Sequence, residues 1–329
     1  SWPQELGHEV VGVVDRLGDG VAPSWLGQRV VLNPWLWCTV RGIEPPCEWC
    51  QKGDYAQCRN FTRGAIAPGI HHGNSRDATG GFAEFVPAHV AQLIPIPEGV
   101  SFEQAVLADP FSVSLHATLH HPPPAGGTAL VYGCGTLGLL NVAILRFLFP
   151  QVRVFAIARY EHQKRLAAQF GAHEVLAWRP LPDLVARVAQ LTGSELLRPW
   201  RGLPMLDGGV DVIYDSVGSP ESVEVGVRVT RSRGKIVVTG VEMPERFEWT
   251  PLYFKEISLV GSNAFGVEEW EGRRQHAMEW YLEWVRNRGL DVTPIITHRF
   301  PLTAYRQAFL ACYDQGKSGA VKVLFTFSQ

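Results

Sequence analysis

Four of the six cysteines in the chain lie close together in sequence, at Cys38, Cys47, Cys50 and Cys58. Glycine, proline and lysine residues surround them, which is typical of an exposed loop and unlike a packed strand or helix. Four thiolates at such spacing suit a closed tetrahedral zinc site, whose binding energy helps the loop to fold. A set of buried free cysteines, or a scattered disulfide framework, fits this pattern poorly. We therefore predict a structural zinc in this loop, which we call the cysteine lobe.

A glycine-rich turn at residues 133–138, which we call the glycine loop, follows a short apolar run and opens an apolar stretch. Gly133 allows a tight turn, Gly135 lets the backbone approach a pyrophosphate, and Gly138 lets a helix and a strand pack closely. Thr136 lies where the amino terminus of that helix faces phosphate charge. A chance glycine-rich turn is the alternative. The position between a strand and a helix favours dinucleotide binding.

The end of the next apolar run selects between the two nicotinamide dinucleotides. An NAD site usually has Asp or Glu there to accept from the ribose 2′-hydroxyl, whereas this chain has Ala158 followed by Arg159. Without a carboxylate, a 2′-phosphate meets no repulsion, and the guanidinium can form a charge-assisted bond with it. The alternative is that Arg159 solvates the strand end or stacks on adenine. This pattern favours NADP, and NAD remains possible.

Alternating elements after Pro110 would position the glycine loop. A helix is predicted over 111–121, and six short apolar strands then alternate with helices, which indicates a parallel, doubly wound α/β sheet of the Rossmann type with both faces covered. By fold analogy alone, the strand order is 3-2-1-4-5-6. The predicted strands are 128–132, 152–157, 173–177, 211–214, 235–239 and 257–261, and the predicted helices are 137–148, 161–170, 182–191 and 222–229.

The regions on either side of this sheet have a different character. Before Pro110, β-branched runs at 9–14 and 29–33 are broken by glycine and proline, which indicates a β-rich region. After the sheet comes a long amphipathic stretch at 268–287, followed by a helix at 302–315 and a strand at 321–327. This tail has too few strands for a core of its own, so we expect it to return to the first domain. The predicted domains are 1–112, 113–264 and 265–329.

Bulk composition excludes several classes of partner. The chain has 329 residues, 46% of them hydrophobic and 19% charged, as in ordinary globular proteins, and its net charge is −2. No global field is available to recruit nucleic acid or an anionic membrane, and no apolar run is long enough to span a bilayer. We expect a cytoplasmic protein, because clustered cysteines suit a reducing compartment. We also expect its partner to be a small molecule.

Several motifs in series resemble the zinc-dependent medium-chain dehydrogenases, which include alcohol, sorbitol and threonine dehydrogenases. The resemblance spans nearly the whole chain, and it implies a GroES-like catalytic domain around a Rossmann domain. The motifs that carry it are Gly7-His8-Glu9-Val10-Val11-Gly12, the cysteine lobe, Gly80-Gly81-Phe82-Ala83-Glu84-Phe85-Val86, the glycine loop and Gly171-Ala172.

The resemblance also implies a catalytic zinc. His8 would ligate it, and Glu9 would lie close to it or exchange as a ligand. Asp109 precedes a proline where sorbitol-dehydrogenase-like members have Glu-Pro and many alcohol dehydrogenases have a Cys ligand, and its side chain is expected to reach the ion directly or through a water. A histidine satisfied in a turn is the alternative for His8. We predict that His8 and Asp109 approach each other near the nicotinamide end of the cleft.

Two departures from the family pattern stand out. The family usually has a longer segment before Gly-His-Glu, including a Cys that ligates the catalytic zinc and a hydroxyl that relays the proton, whereas here the motif begins at Gly7. Either the chain is a fragment, or it lacks that ligand and part of the catalytic domain. The first gap of the cysteine lobe is two residues in the family and eight here, so residues 39–46 resemble an insertion that keeps all four ligands.

The implied reaction is hydride transfer between a nicotinamide and an alcohol or polyol or its carbonyl, with zinc polarising the oxygen. By resemblance, Val113 and Leu137 back the nicotinamide ring, while the backbone of 239–241, from Thr239 to Val241, and of 262–265 contacts it. His71 and His72 lie in a predicted surface loop, and we expect both to be solvated. The alternative is that they border the substrate cleft.

Two other functions remain open. One is a zinc-free, quinone-reductase-like member, which would not need His8, Glu9 or Asp109. The other is a nonenzymatic nucleotide-binding module. The family suggests a homodimer or homotetramer, and the sequence does not identify the substrate.

Overall fold

The computed structural model describes residues 5–200, 202–242 and 248–327. Contacts divide the chain into two compact units. The described residues of the first unit are 5–112, 264–314 and 322–327, and those of the second unit are 113–200, 202–242, 248–263 and 315–321.

The second unit is built on a six-stranded parallel sheet. Taking its strands in chain order, the spatial order is 6-5-4-1-2-3, which is the predicted order read from the opposite edge. Every pairing within it is parallel, so the predicted doubly wound sheet is confirmed. The strands are Thr128–Tyr132, Arg153–Ala158, Glu174–Ala177, Val210–Asp215, Thr230–Val238 and Ser258–Gly261.

Helices alternate with these strands. The central strands are apolar because both faces are covered, and Leu130, Phe155 and Ile213 are completely buried. Local signals set the helix ends: the Ser219 side chain accepts from the Ser222 amide, and Gly193 ends a helix in the left-handed conformation. The helices are Ala108–His120, which begins in the first unit, and Thr136–Leu148, Glu161–Gln169, Leu181–Thr192, Pro220–Val229, Thr250–Phe254 and Gln315–Ser318.

A short antiparallel hairpin in the second unit was not predicted. Its strands, Glu195–Leu197 and Met205–Asp207, contain three residues each. So short a run shows no alternation of apolar and polar residues, and it therefore gives no strand signal.

Among its described residues, the first unit contains three small sheets. One has three antiparallel strands, the second is an antiparallel hairpin, and the third is a parallel pair formed by the last strand of the chain. Its strands are Val10–Val13, Arg29–Leu32, Leu93–Pro95, Val267–Trp270, Arg273–His276, Ile296–Pro301 and Lys322–Thr326. Its helices are Glu48–Lys52, Phe102–Ala105, Ala277–Arg288 and Tyr305–Tyr313, with 3-10 turns at Pro23–Trp25, Tyr55–Gln57, Val90–Gln92, Thr293–Ile295 and Leu302–Ala304.

The amphipathic stretch at 268–287 is two elements rather than one. Glu271 and Gly272 both have positive φ, of 51° and 75°, which makes a tight turn between the hairpin strands. The His276 side chain then accepts from the Met278 amide and caps the helix Ala277–Arg288. Helical periodicity in the second half concealed the turn in the first. Within the described residues, no helix has the length and apolar character needed to cross a membrane.

Candidate metal and dinucleotide sites

The four thiols of the cysteine lobe converge. Their Sγ atoms all lie within 4.8 Å of one another, with Cys38 and Cys58 at 3.7 Å and Cys47 and Cys50 at 3.5 Å. The lobe brings them together with a short helix that begins after Cys47 and ends at Gly53 in the left-handed conformation. A closed set of four sulfurs is the ligand set of a structural zinc.

Hydrogen bonds and burial around the sulfurs fit a bound cation. The Cys47 amide donates to Cys38 Sγ at 3.3 Å, and Asn60 donates to Cys38 Sγ at 3.2 Å through its side chain. Burial favours a higher pKa for the Cys47 thiol, but hydrogen bonds from the backbone amides of Arg59 and Cys50 lower it to about 6. Burial raises the pKa of Cys58 to about 11 and also raises that of Cys50. A bound cation would favour the thiolate form of the buried ligands.

A second group of potential ligands lies elsewhere in the first unit. Ligand atoms of His8, Glu9 and Asp109 fall within 4.8 Å of one another. His8 and Glu9 immediately precede the strand Val10–Val13, and Asp109 is in the first turn of the helix Ala108–His120. The structure therefore brings together residues separated by about a third of the chain.

Burial gives these groups unusual protonation. Asp109 is buried, one of its carboxylate oxygens has no partner, and burial raises its pKa to about 8. Burial, aided by the charges of His71 and Lys322, lowers the pKa of His8 to about 4, so its imidazole is neutral at neutral pH. A buried carboxyl with an orphaned oxygen beside a neutral imidazole fits a cation site.

Sequence reasoning missed Lys322, which forms an ion pair with Glu9. Lys322 lies at the start of the last strand, and burial lowers its pKa to about 7. The only sequence signal was a lysine inside an otherwise apolar run. Lys322 compensates the charge of Glu9, and among the described residues Asp109 forms no ion pair.

The prediction that His71 and His72 are solvated is wrong. His72 is buried, and its Nδ1 donates to the Thr79 carbonyl at 3.0 Å. His71 is half-buried, and its ring centroid lies 4.7 Å from that of His8. These contacts depend on how the loop folds back, which no local pattern reports.

The glycine loop combines close packing at two glycines with open space at the third. A Cβ on Gly133 would lie 2.4 Å from Val217 Cγ2, and one on Gly138 would lie 1.8 Å from the Gly133 carbonyl oxygen. A Cβ on Gly135 would meet no atom within 4 Å, so open space lies beside this backbone. The helix Thr136–Leu148 begins there without a side-chain cap. Its free amide groups and the open space fit a phosphate group.

Other predicted cofactor residues lie at the same edge of the sheet. The Ser114 hydroxyl donates to the Leu137 carbonyl at 2.9 Å, which joins the helix segment after Val113 to the glycine loop. Thr239 donates from its amide and hydroxyl to the Asp215 carbonyl, whereas the Val241 side chain is almost fully exposed.

Two hydroxyls that the sequence did not single out follow the two strands that lie on either side of Thr230–Val238 in the sheet. Ser216 and Ser262 come directly after the strands ending at Asp215 and Gly261, and both hydroxyls are buried without a partner. Buried orphaned donors at the carboxyl edge of a parallel sheet fit a polar ligand.

Arg159 lies between two aromatic rings. Ala158 is completely buried, and the Arg159 guanidinium carbon is 5.6 Å from the Tyr160 ring centroid and 5.7 Å from that of Trp178. In the described part of the chain, Arg159 takes part in no ion pair. Arg159 is exposed, so its guanidinium remains available for hydrogen bonds.

Two family models match the chain. The alcohol dehydrogenase GroES-like domain matches residues 1–98, and the zinc-binding dehydrogenase matches residues 136–282. The chain belongs to the zinc-dependent medium-chain dehydrogenases. It is therefore an alcohol-dehydrogenase-like oxidoreductase.

Relatives of this dehydrogenase act on sugars and polyols according to their names. It is 25% identical to the L-idonate 5-dehydrogenase of Vitis vinifera over 334 residues, which cover 98% of this chain and 79% of that protein. It is 27% identical to the sorbitol dehydrogenase of Arabidopsis thaliana over 326 residues, which cover 98% of this chain and 79% of that protein.

Solved structures of similar dehydrogenases contain both dinucleotides. A zinc-binding dehydrogenase from Sinorhizobium meliloti 1021, bound to NADP, is 25% identical with a TM-score of 0.76, over 99% of this chain and 84% of that one. The short chain alcohol dehydrogenase from Escherichia coli CFT073, complexed with NADH, is 25% identical with a TM-score of 0.75, over 98% of this chain and 83% of that one. These structures leave the cofactor preference of this dehydrogenase open.

Proposed function

We propose that this dehydrogenase uses zinc and transfers a hydride between NADP(H) and an alcohol or polyol, or the corresponding carbonyl compound. The buried Asp109 carboxyl carries this proposal, because it has an orphaned oxygen and lies within 4.8 Å of the neutral imidazole of His8. A buried group of this kind is costly unless a cation binds to it. The names of the relatives support the substrate class.

His8 and Asp109 would hold the catalytic zinc, Asp109 directly or through a water. When bound, zinc supplies a Lewis acid for the substrate oxygen. Glu9 would lie close to the ion, and its ion pair with Lys322 keeps that carboxylate oriented. Asp109 has to release its proton for the ion to bind.

The second unit would hold the dinucleotide, which supplies or accepts the hydride when bound. Gly133, Gly135 and Gly138 shape the turn for the pyrophosphate, and Thr136 starts the helix that faces it. The residues proposed beside the nicotinamide ring are Val113, Leu137, Thr239 and Val241.

NADP is the proposed cofactor because the strand end offers a cation and no carboxylate. Ala158 is apolar, and Arg159 is held between Tyr160 and Trp178 with no ion pair among the described residues. The same aromatic contacts would serve the alternative in which the guanidinium stacks on adenine, so affinities for both dinucleotides have to be compared.

A second zinc would hold the cysteine lobe together through its four thiolates. The convergence of the sulfurs and the Asn60 hydrogen bond to Cys38 support this structural role. No position for substrate exists in a closed set of four ligands.

Purified protein would test the function directly. NADP-dependent oxidation of sorbitol, L-idonate and L-threonine is followed by the absorbance of the reduced nicotinamide, before and after zinc is removed with a chelator. We expect turnover that requires zinc and is lost in Asp109→Asn, but not in the control Asp77→Asn, whose exposed carboxylate pairs with Arg76. Zinc-independent turnover of a quinone would favour the zinc-free alternative. Light scattering on the same sample tests the proposed homodimer or homotetramer.

A further inference from the structure

Arg41 is completely buried in the first unit, and its guanidinium binds only backbone carbonyl groups. It belongs to residues 39–46, between the first two cysteines of the cysteine lobe. The acceptors are the carbonyl oxygens of Leu36 at 2.9 Å, Arg63 at 2.9 Å, Ile66 at 3.0 Å, Ala67 at 3.2 Å and Gly69 at 2.6 Å. Five donors in one fork satisfy five carbonyls, which no other side chain can do.

The thiols of Cys38 and Cys58 lie close enough to Arg41 to affect its guanidinium. Among the described residues, Arg41 forms no salt bridge with a carboxylate. Burial lowers the pKa of Arg41, while the charges of Cys58 and Cys38 raise it. The Arg41 amide also donates to the Cys38 carbonyl at 3.0 Å, so backbone and charge both connect Arg41 with the sulfur cluster.

Four of the five carbonyl acceptors belong to residues 63–69, and the next residues lie beside the second candidate metal site. The Leu36 amide donates to the Ile70 carbonyl at 3.0 Å, and the His72 amide donates to that of Pro34 at 2.9 Å. Between them, the His71 ring lies 4.7 Å from that of His8. One guanidinium therefore connects the cysteine lobe with the loop 63–72, which contacts His8.

We propose that Arg41 is a positioning residue that couples metal binding in the cysteine lobe to the order of the loop 63–72, and so to the position of His71 against His8. The inference rests on the structural zinc proposed above. Metal binding fixes Cys38, and because the Arg41 amide donates to the Cys38 carbonyl, it also fixes the position of Arg41. The fixed guanidinium then holds the carbonyls of the loop, because its planar fork allows only one arrangement of five bonds.

A double-mutant cycle on the full chain tests the coupling. The four proteins are the unmodified chain, Cys50→Ser, Arg41→Lys and the double variant, and zinc per chain is measured for each. Hydrogen exchange by mass spectrometry then reports the amides of residues 63–72. Lysine keeps the charge but lacks the fork, so it removes the coupling while leaving a cation near the thiols. Arg63→Lys is the matched control, because its side chain is exposed in the same loop.

Coupling predicts a result that a purely structural Arg41 would not give. We expect loss of the lobe zinc in Cys50→Ser to raise exchange in the loop by about five- to 150-fold, the usual range for two coupled sites. Arg41→Lys should keep its zinc and show a similar rise, and the double variant should exchange no faster than the single variants. Amides of the strand Thr128–Tyr132 should not change.

Three outcomes would overturn the proposal. If the effects of the two substitutions multiply, Arg41 stabilises the loop independently of the metal. If Cys50→Ser loses zinc and the loop exchanges as before, the coupling alone is wrong. If the unmodified chain contains no zinc in the lobe, the structural zinc proposed above is wrong and the coupling is wrong with it. Should Cys50→Ser fail to fold, chelation of the zinc-loaded chain and of Arg41→Lys supplies the same comparison.

Discussion

The cysteine lobe and the glycine loop prepare a ligand site in opposite ways. The lobe gathers four thiols, of which Cys47 has a lowered pKa and Cys58 a raised one, and its proposed role depends on a bound cation. The glycine loop contributes no side-chain ligands. It is shaped by the absence of side chains, since a Cβ at Gly133 or Gly138 would overlap neighbouring atoms.

This difference indicates how each site should fail. A site built from ligand side chains should lose its structure when one ligand or the ion is removed. A site that depends on open space should lose its structure when one methyl group is added. The predictions below test that contrast in order of expected effect.

The largest effect is expected for Cys50→Ser, which removes one ligand of the cysteine lobe. Structural zinc contributes roughly 10–16 kcal/mol of apparent binding energy in small zinc domains, so loss of the ion should loosen the lobe. Metal analysis and limited proteolysis measure the two consequences. Cys312→Ser is the matched control because that thiol is exposed. An unchanged zinc content in Cys50→Ser would show that the lobe is not a zinc site.

The second prediction concerns pH at the other metal set. Since burial raises the pKa of Asp109 to about 8, zinc has to displace a proton below that pH. We expect affinity for this zinc to fall about tenfold for each pH unit below 8, because one pKa unit corresponds to one tenfold step. His8, with a pKa of about 4, does not compete for a proton in this range.

The measurement is a zinc competition titration at several pH values, with Asp109→Asn as the variant that should lose the slope. In the metal-free chain, the folded state keeps a proton on Asp109 that the unfolded state releases above the usual pKa of 3.8. The contribution of Asp109 to stability should therefore be lost as pH rises from 3.8 towards 8. A pH-independent affinity would contradict the assignment of Asp109 as a ligand.

Two alanine substitutions in the glycine loop should separate fold from binding. Gly138→Ala forces a Cβ against the Gly133 carbonyl oxygen, so we expect a loss of about 1–3 kcal/mol in the free energy of unfolding. The Cβ added in Gly135→Ala has no atom within 4 Å, so this variant should keep its stability and lose only affinity for the dinucleotide. Thermal unfolding and dinucleotide titration measure the two effects. Equal losses of stability in both variants would remove the distinction between the two glycines.

The smallest expected effect is in cofactor preference. A charge-assisted hydrogen bond from Arg159 to a 2′-phosphate is worth roughly 1.5–3 kcal/mol, or about tenfold or more in affinity. Arg159→Ala should therefore erode a preference for NADP, and Ala158→Asp should reverse it. Arg165→Ala, an exposed arginine on the following helix, is the control.

Dissociation constants for both dinucleotides should be measured at fixed salt, because a charged contact is screened. Ala158 is completely buried, so thermal unfolding has to show that Ala158→Asp remains folded. Equal or tighter binding of NAD by the unmodified chain would assign Arg159 to stacking or solvation instead.

Elements with strong local patterns were predictable from the sequence. The strands of the parallel sheet are apolar along their length, as in Val154 to Ile157, because helices cover both faces. The spacing of the four cysteines likewise indicated that the thiols would meet, and their Sγ atoms converge. Both signals are contained in a few consecutive residues.

Contacts made by distant segments were not predictable in this way. His8 and Asp109 were linked only through the family resemblance, and nothing near Lys322 indicated that it would meet Glu9. Arg41 looked like an ordinary loop residue, although its side chain binds five carbonyls. Such partners are set by tertiary folding, so periodicity and spacing carry no information about them.

The path of the chain near its end limits how the two units can be exchanged between proteins. Residues 315–321 belong to the second unit although the residues on both sides of them belong to the first. There the Val321 carbonyl accepts from the Thr136 hydroxyl at 3.2 Å, and a Cβ on Gly316 would lie 3.0 Å from the Tyr160 ring. A gene fragment that encodes only Val113–Asn263 would thus omit contacts at both the glycine loop and Tyr160. Chimeras that swap the nucleotide module need to transplant two separate pieces of coding sequence.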